Sequence, residues 1–241
     1  MNLKSLKFNI TIVALALFVA GITYSCHSGN NNSQKGTSQS AMEENHSEHG
    51  EEANEHDEEM HENTSGQEVW IPSKEPFSGG LKLVKGNASQ LKARFVASEN
   101  GNVLSLETDG NEAVMLMNGI YDNLGTEFQY NATGYQGQIA VHFHYKDSAN
   151  YDVMVLDNHA MEIQRFENGN MTVVDSKDAS IPNGWATVKL SAAGEHLKCF
   201  LNGKQYDHGH AEVRPAGKVG IMLKGKGKVE LKKLTVIPLE E

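Results

Sequence analysis

Histidine and carboxylate side chains, the groups best able to bind metals or move protons, are concentrated in two parts of this chain. The first runs from Ala41 to Gly66. His46, His49, His56 and His61 are interleaved there with ten Asp and Glu between residues 43 and 62, and no Lys or Arg interrupts them. Neutral imidazole suits Zn, Cu and Ni, and carboxylates add charge and hard oxygen ligands. The spacing follows no fixed metal motif. A flexible tract of this kind would bind a divalent ion only weakly, because each ligand must offset the entropy of ordering the chain. The alternative is a solvated acidic spacer.

The second part runs from Gln138 to Phe166. His142 and His144 stand two apart in an alternating run, so on a strand they share a face about 7 Å apart. Asp152, Asp157, His159 and Arg165 follow in the next two runs. Taken as one solvent-facing set on an open β-face, these six suit a polyhydroxy ligand; the alternative is an ordinary hydrated sheet face. A further pair, His208 and His210, falls in Tyr206-Asp207-His208-Gly209-His210 and reads as loop. Several chemistries are not indicated. There is no Glu-x-Asp-x-x-Glu string for a two-carboxylate glucanase. Gly-x-Ser-x-Gly, P-loop and dinucleotide-binding glycine patterns are also missing.

The elements that would position these groups come after a leader and a tether. Met1–Lys7 carries two lysines, and Phe8–Ile22 is apolar but short for a membrane span. Thr23-Tyr24-Ser25-Cys26 resembles a bacterial lipobox. Residues 1–25 are therefore expected to be a lipoprotein signal, with Cys26 lipidated at a bacterial cell envelope. Anchoring by two or more acyl chains is stable, each buried methylene adding roughly 0.8 kcal/mol. Residues 26–67, rich in Asn and Ser and then in His and Glu, cannot bury enough apolar area to fold and read as a tether.

Residues 68–241 read as one all-β domain. The formal charge of −10 comes mostly from the tether; from residue 68 on there are 21 acidic and 18 basic residues. No basic field for nucleic acid remains. The two cysteines are Cys26 and Cys199, so no disulfide is expected within the domain. Cys199 shares parity with Leu197 and Leu201 and reads as a small buried hydrophobe. Turn signals recur between roughly 13 short runs, among them Asp109-Gly110, Asn168-Gly169 and Asn202-Gly203. That number suits two stacked antiparallel sheets, with one face open to solvent. In the last run Val229 and Leu231 have one parity, Leu234 and Val236 the other. A bulge at Lys232-Lys233 is needed to turn all four inward.

The last quarter carries a resemblance. Gly184-Trp185, Gly194, Leu201-Asn202-Gly203-Lys204, Asp207, Gly217-Lys218-Val219-Gly220-Ile221 and Ile237-Pro238-Leu239 follow one another in order. This order resembles the 3-keto-disaccharide hydrolase family of the concanavalin A-like lectin and glucanase superfamily. The resemblance implies a two-sheet antiparallel β-sandwich of jelly-roll form, a carbohydrate or glycoside partner, and no required cofactor. Trp185 matches a family position near a turn, where packing is expected. Upstream, Asn150-Tyr151-Asp152 stands where the family reads Gly-Tyr-Glu, with Asp157 as the nearby aspartate. If the chain hydrolyses a 3-keto-glycoside, Asp152 or Asp157 would be the acid/base. His142, His144, His159 and Arg165 would hold the sugar. The other readings are an envelope lipoprotein that buffers metal through the His/Glu tract, and a protein-interaction module.

Overall fold

The computed structural model describes residues 66–97 and 101–240. Cys26 and the four tract histidines lie outside the described residues, as do residues 1–25 of the expected signal and all of the expected tether but residues 66–67. Thirteen strands occur among the described residues, all paired antiparallel. They are β1 (Glu68–Trp70), β2 (Leu81–Lys85), β3 (Arg94–Val96), β4 (Val103–Tyr121), β5 (Leu124–Asn131), β6 (Gln136–Asp147) and β7 (Asn150–Leu156). The remainder are β8 (Ala160–Glu167), β9 (Asn170–Asp178), β10 (Trp185–Ala193), β11 (His196–Leu201), β12 (Lys204–His210) and β13 (Gly217–Pro238).

The hydrogen-bonded order is β12-β11-β10-β5-β13-β6-β7-β8-β9, with β4 along β13 and with β2 and β3 on β4. The sandwich is made by β13 and β4, which pass from one layer to the other. The first half of β13 pairs with β6, and the second half with β5. Asp109-Gly110 reads as a reversing turn, and so does the break in the apolar pattern between Leu223 and Val229. The chain bends instead, because the β4–β13 ladder runs from Gly217↔Tyr121 to Leu231↔Leu104 with shifts at Lys218/Gly220 and Lys224/Lys226. At the second bend Gly225 has φ 159° and sits opposite Gly137, φ 149°. A Cβ on Gly225 would lie 2.3 Å from the Gln136 carbonyl oxygen, so only glycine allows the strands to close there.

The inner faces form one core that includes Phe128, Tyr130, Phe143, Met154, Ile163, Val188, Cys199 and Ile221. The expected bulge is present. Leu231 pairs with Tyr130 and Lys233 with Gln129, leaving Lys232 as the extra residue. Val229, Leu231, Leu234 and Val236 are consequently all buried, worth about 1.5–3 kcal/mol each. Asn202 and Gly203 have φ 51° and 80°, as the type I′ turn requires. Cys199 is fully buried, and burial raises its thiol pKa well above the ordinary value. Trp70 is buried and donates its indole N–H to the Ser78 carbonyl. Trp185 differs from the packing expectation: it opens β10 with 48% of its surface exposed and Lys232 Nζ 5.6 Å from its ring.

Candidate functional site

The six residues read as one solvent-facing set do not share a face. Pairing fixes this. Phe143 stands opposite Asp152, and Asp152 opposite Arg165, so these point with Met154 and Ile163 toward the interior. His142 stands opposite Val153 and points the other way. His144 would share the side of His142, but the β6–β7 ladder shifts between Phe143 and Asp147. His144 itself has φ 48°, and a Cβ on Gly217 would lie 2.3 Å from its carbonyl carbon. The irregular backbone brings its ring to Asp152. His142, His144 and Asp152 are therefore buried, not solvent-facing, and Arg165 is largely covered.

Asp152 is the centre of an ionic cluster. Arg165 grips it bidentately, Nε to Oδ1 at 2.8 Å and Nη2 to Oδ2 at 2.9 Å. His144 Nδ1 lies 3.2 Å from Oδ2, and its Nε2 lies 2.6 Å from the Asp122 carbonyl oxygen. Arg214, from the loop before β13, brings Nε to 3.2 Å from Oδ1, an ion-pair contact without hydrogen-bond alignment. Arg214 Nη2 donates to the Phe166 carbonyl and to Glu167 Oε1. Burial pushes the Asp152 carboxyl pKa up, but the hydrogen bonds from His144 and Arg165 outweigh it and hold the pKa below the ordinary value. The arrangement ties β7, β8 and the β12–β13 loop together. Three hydrogen bonds and the Arg214 guanidinium surround the carboxylate, which is 1% exposed and closed to a substrate.

His142 is 3% exposed on the outer side of its layer, with Tyr151 and Tyr145 ring centroids 4.6 and 5.5 Å away. Ala140, Val153 and Val155 form an apolar cluster on the same side, with Tyr145, Tyr151 and Phe166 packed against it. Neither ring nitrogen of His142 has a hydrogen-bond partner among the described residues. Burial, then Lys85, lowers its pKa to about 3, so the ring is neutral. The open polar face expected here is an apolar one.

Asp157 and His159 lie elsewhere, on the turn between β7 and β8. Asp157 Oδ1 accepts the backbone N–H groups of His159 and Ala160, at 2.7 and 2.9 Å. Its backbone carbonyl accepts from Ile181, and that of His159 from Ala179. Asp157 thus holds the turn against the β9–β10 loop. Beside it opens a cleft of about 640 Å³ lined by His159, Asp178, Ser180, Asn202, Lys204 and Tyr206. The β11–β12 ladder steps from Cys199↔Asp207 to Phe200↔Gln205, so Tyr206 is a bulged residue, and its ring reaches this cleft. Lys204 Nζ sits 4.4 Å from the Tyr206 ring centroid. Of the six residues, the structure brings only His159 to an open concave surface; Asp157 positions it.

No family model and no curated protein sequence matches this chain. Solved structures do. The carbohydrate-binding module CBM66 from Bacillus subtilis is similar at a TM-score of 0.51 and 20% identity, over 64% of this chain and 94% of that one. Bacillus licheniformis β-glucanase matches at a TM-score of 0.51 and 13% identity, over 72% and 99%. The exoplasmic/lumenal domain of VIP36, in a Ca2+/Man3GlcNAc-bound form, matches at 0.53 and 9%, over 72% and 89%. The chain shares its all-β sandwich fold with these three structures. At such identities the likeness is one of fold, and any function must be argued from side chains.

Proposed function

We propose that this chain is a glycan-binding β-sandwich, held at the bacterial cell envelope by lipid on Cys26 and set off from the membrane by residues 26–67. The observation that carries the reading is the cleft between the β7–β8 turn, the β9–β10 loop and the β11–β12 hairpin. It offers an aromatic ring, Tyr206, beside the polar groups of His159, Asp178, Asn202 and Lys204. Sugars are bound by such pairings, a ring for the C–H face and fixed polar groups for the hydroxyls.

Binding is favoured over hydrolysis of a 3-keto-glycoside. A general acid needs a raised pKa and an accessible proton. Asp152 has a lowered pKa and is enclosed by Arg165, Arg214 and His144. One carboxylate oxygen of Asp157 is occupied by two backbone donors. Affinity electrophoresis of the full chain through gels containing mixed-linkage β-glucan or mannan tests the proposal. Retardation by one of them, lost in Tyr206→Ala and Asp178→Ala, is the expected result. Unaltered mobility in both removes the cleft as a site for these glycans. Turnover of a 3-keto-glycoside that disappears in Asp157→Asn would establish the hydrolytic reading instead. For the anchor, Cys26→Ala should move the protein from the membrane to the soluble fraction.

A further inference from the structure

Three of the chain's eleven histidines meet on the outer face of the β11–β12 hairpin. His196 stands directly opposite His210, and His208 is two residues back along β12, opposite Lys198. All three are exposed, and one ligand nitrogen from each can be chosen so that all lie within 4.8 Å of one another. The ring centroids are 4.5 to 5.7 Å apart. His196 Nδ1 and His208 Nε2 approach to 3.4 Å.

We propose that His196, His208 and His210 form a binding site for a divalent transition-metal ion of the Zn2+, Cu2+ or Ni2+ type. Two imidazole nitrogens at ~2.0–2.1 Å from a tetrahedral ion are about 3.3 Å apart, close to the His196–His208 separation. A ligand nitrogen of the third ring, His210, lies within 4.8 Å of those of the other two. An all-imidazole set selects these ions over Ca2+ and Mg2+, which require oxygen ligands. Three protein ligands leave a fourth position toward solvent.

The backbone under the tripod is fixed before any metal arrives. The His208 N–H donates to Asp175 Oδ2 at 3.2 Å, and the Ala211 N–H to the Glu195 carbonyl at 3.0 Å. Gly209 lets β12 close on the opposite layer, since a Cβ there would lie 2.8 Å from Val174 Cγ1. The entropy cost of ordering the ligands on binding is therefore largely absent here. The cost that opposes binding is the Lys198 charge beside His208.

Zn2+ competition against a chromophoric indicator tests the site on the full chain, in a background where His46, His49, His56 and His61 are all changed to Gln. One equivalent of Zn2+ should bind. His196→Gln, His208→Gln and His210→Gln should each weaken it by about tenfold or more. Co2+ in place of Zn2+ should give the intense visible bands of a four-coordinate centre, lost in the same variants. Equal Zn2+ affinity in the His208→Gln/His210→Gln double variant, or no binding in the parent, overturns the proposal. The probe contains no sugar, so this result is independent of the glycan reading.

Discussion

The Asp152 corner and the β11–β12 tripod both gather titratable side chains, and they spend them in opposite ways. At the corner, Asp152 is 1% exposed, and its oxygens are met by two guanidinium groups and an imidazole of this same chain. On the hairpin, three exposed imidazoles meet mainly one another. A buried charge has to find its partners within the fold, because removal from water is too costly otherwise. An exposed cluster is under no such demand, and keeps its lone pairs for something outside the chain. Clustering by itself therefore does not mark a site; accessible and unspent lone pairs do.

The largest effect should come from breaking the corner. Asp152→Ala leaves the largely covered Arg165 without its paired carboxylate and Arg214 with Glu167 alone, and should destabilise the fold by about 3–5 kcal/mol in urea unfolding near neutral pH. The pKa of Asp152 is lowered in the folded state, so its contribution is present above the ordinary aspartate value and fades as pH falls through the folded one. The gap between wild type and variant should accordingly narrow in acid. Asp152→Leu combined with Arg165→Met should recover part of the loss. If Asp152→Ala instead leaves the unfolding midpoint unchanged, the cluster is not structural, and Asp152 returns as a functional candidate.

The corner and the hairpin were also unequally legible in the sequence. The bulge at Lys232 could be read because a parity slip between Leu231 and Leu234 admits only one physical solution. The Asn202-Gly203 turn could be read from its own φ demands. The His144 irregularity could not, because nothing local marks it: it arises where the Gly217 backbone approaches β6. Strict alternation therefore placed His144 beside His142 and overlooked that Asp152 and Arg165 share the inward parity of Met154 and Ile163. The tripod was hidden for a different reason. β12 fills its inward positions with Asp207 and Gly209, not with apolar residues, so the segment reads as a polar loop. His208 and His210 could be seen as a pair, but His196 joins them only through pairing of β11 with β12. Likewise β13 reads as two runs, because the Gly225–Gly227 bend looks like a turn.

Asp207 lies between the two extremes and sharpens the contrast. It is fully buried like Asp152, yet neither carboxylate oxygen has a hydrogen-bond partner among the described residues. Burial, reinforced by Asp175, raises its pKa from 3.8 to about 6. The folded state thus binds this proton more tightly than the unfolded state does. Stability falls as pH rises from near 3.8 to about 6, and stays reduced above that. Asp207→Asn removes the charge while keeping the shape. It should be nearly neutral at pH 4 and stabilising by about 2 kcal/mol at pH 8, read from urea midpoints at the two pH values. A pH-independent difference would mean that Asp207 has a partner that holds its charge.

The smallest effect is expected at the tripod itself, and its smallness is what separates the two clusters. His196, His208 and His210 are exposed and bury no charge. Without metal, substitution of any of them by Gln should change stability by no more than about 0.5 kcal/mol, as for other surface positions. With Zn2+ in excess, the parent should gain stability by mass action, since the ion binds the folded hairpin and not the separated strands. The His208→Gln variant should not gain. A thermal melt of each protein with Zn2+ and with chelator gives the four midpoints required. The parent alone should shift, because only there do three imidazoles converge on one point. An equal shift in parent and variant would assign the stabilising ion to other ligands and return the hairpin to the same class as the Asp152 corner, where side chains serve the fold.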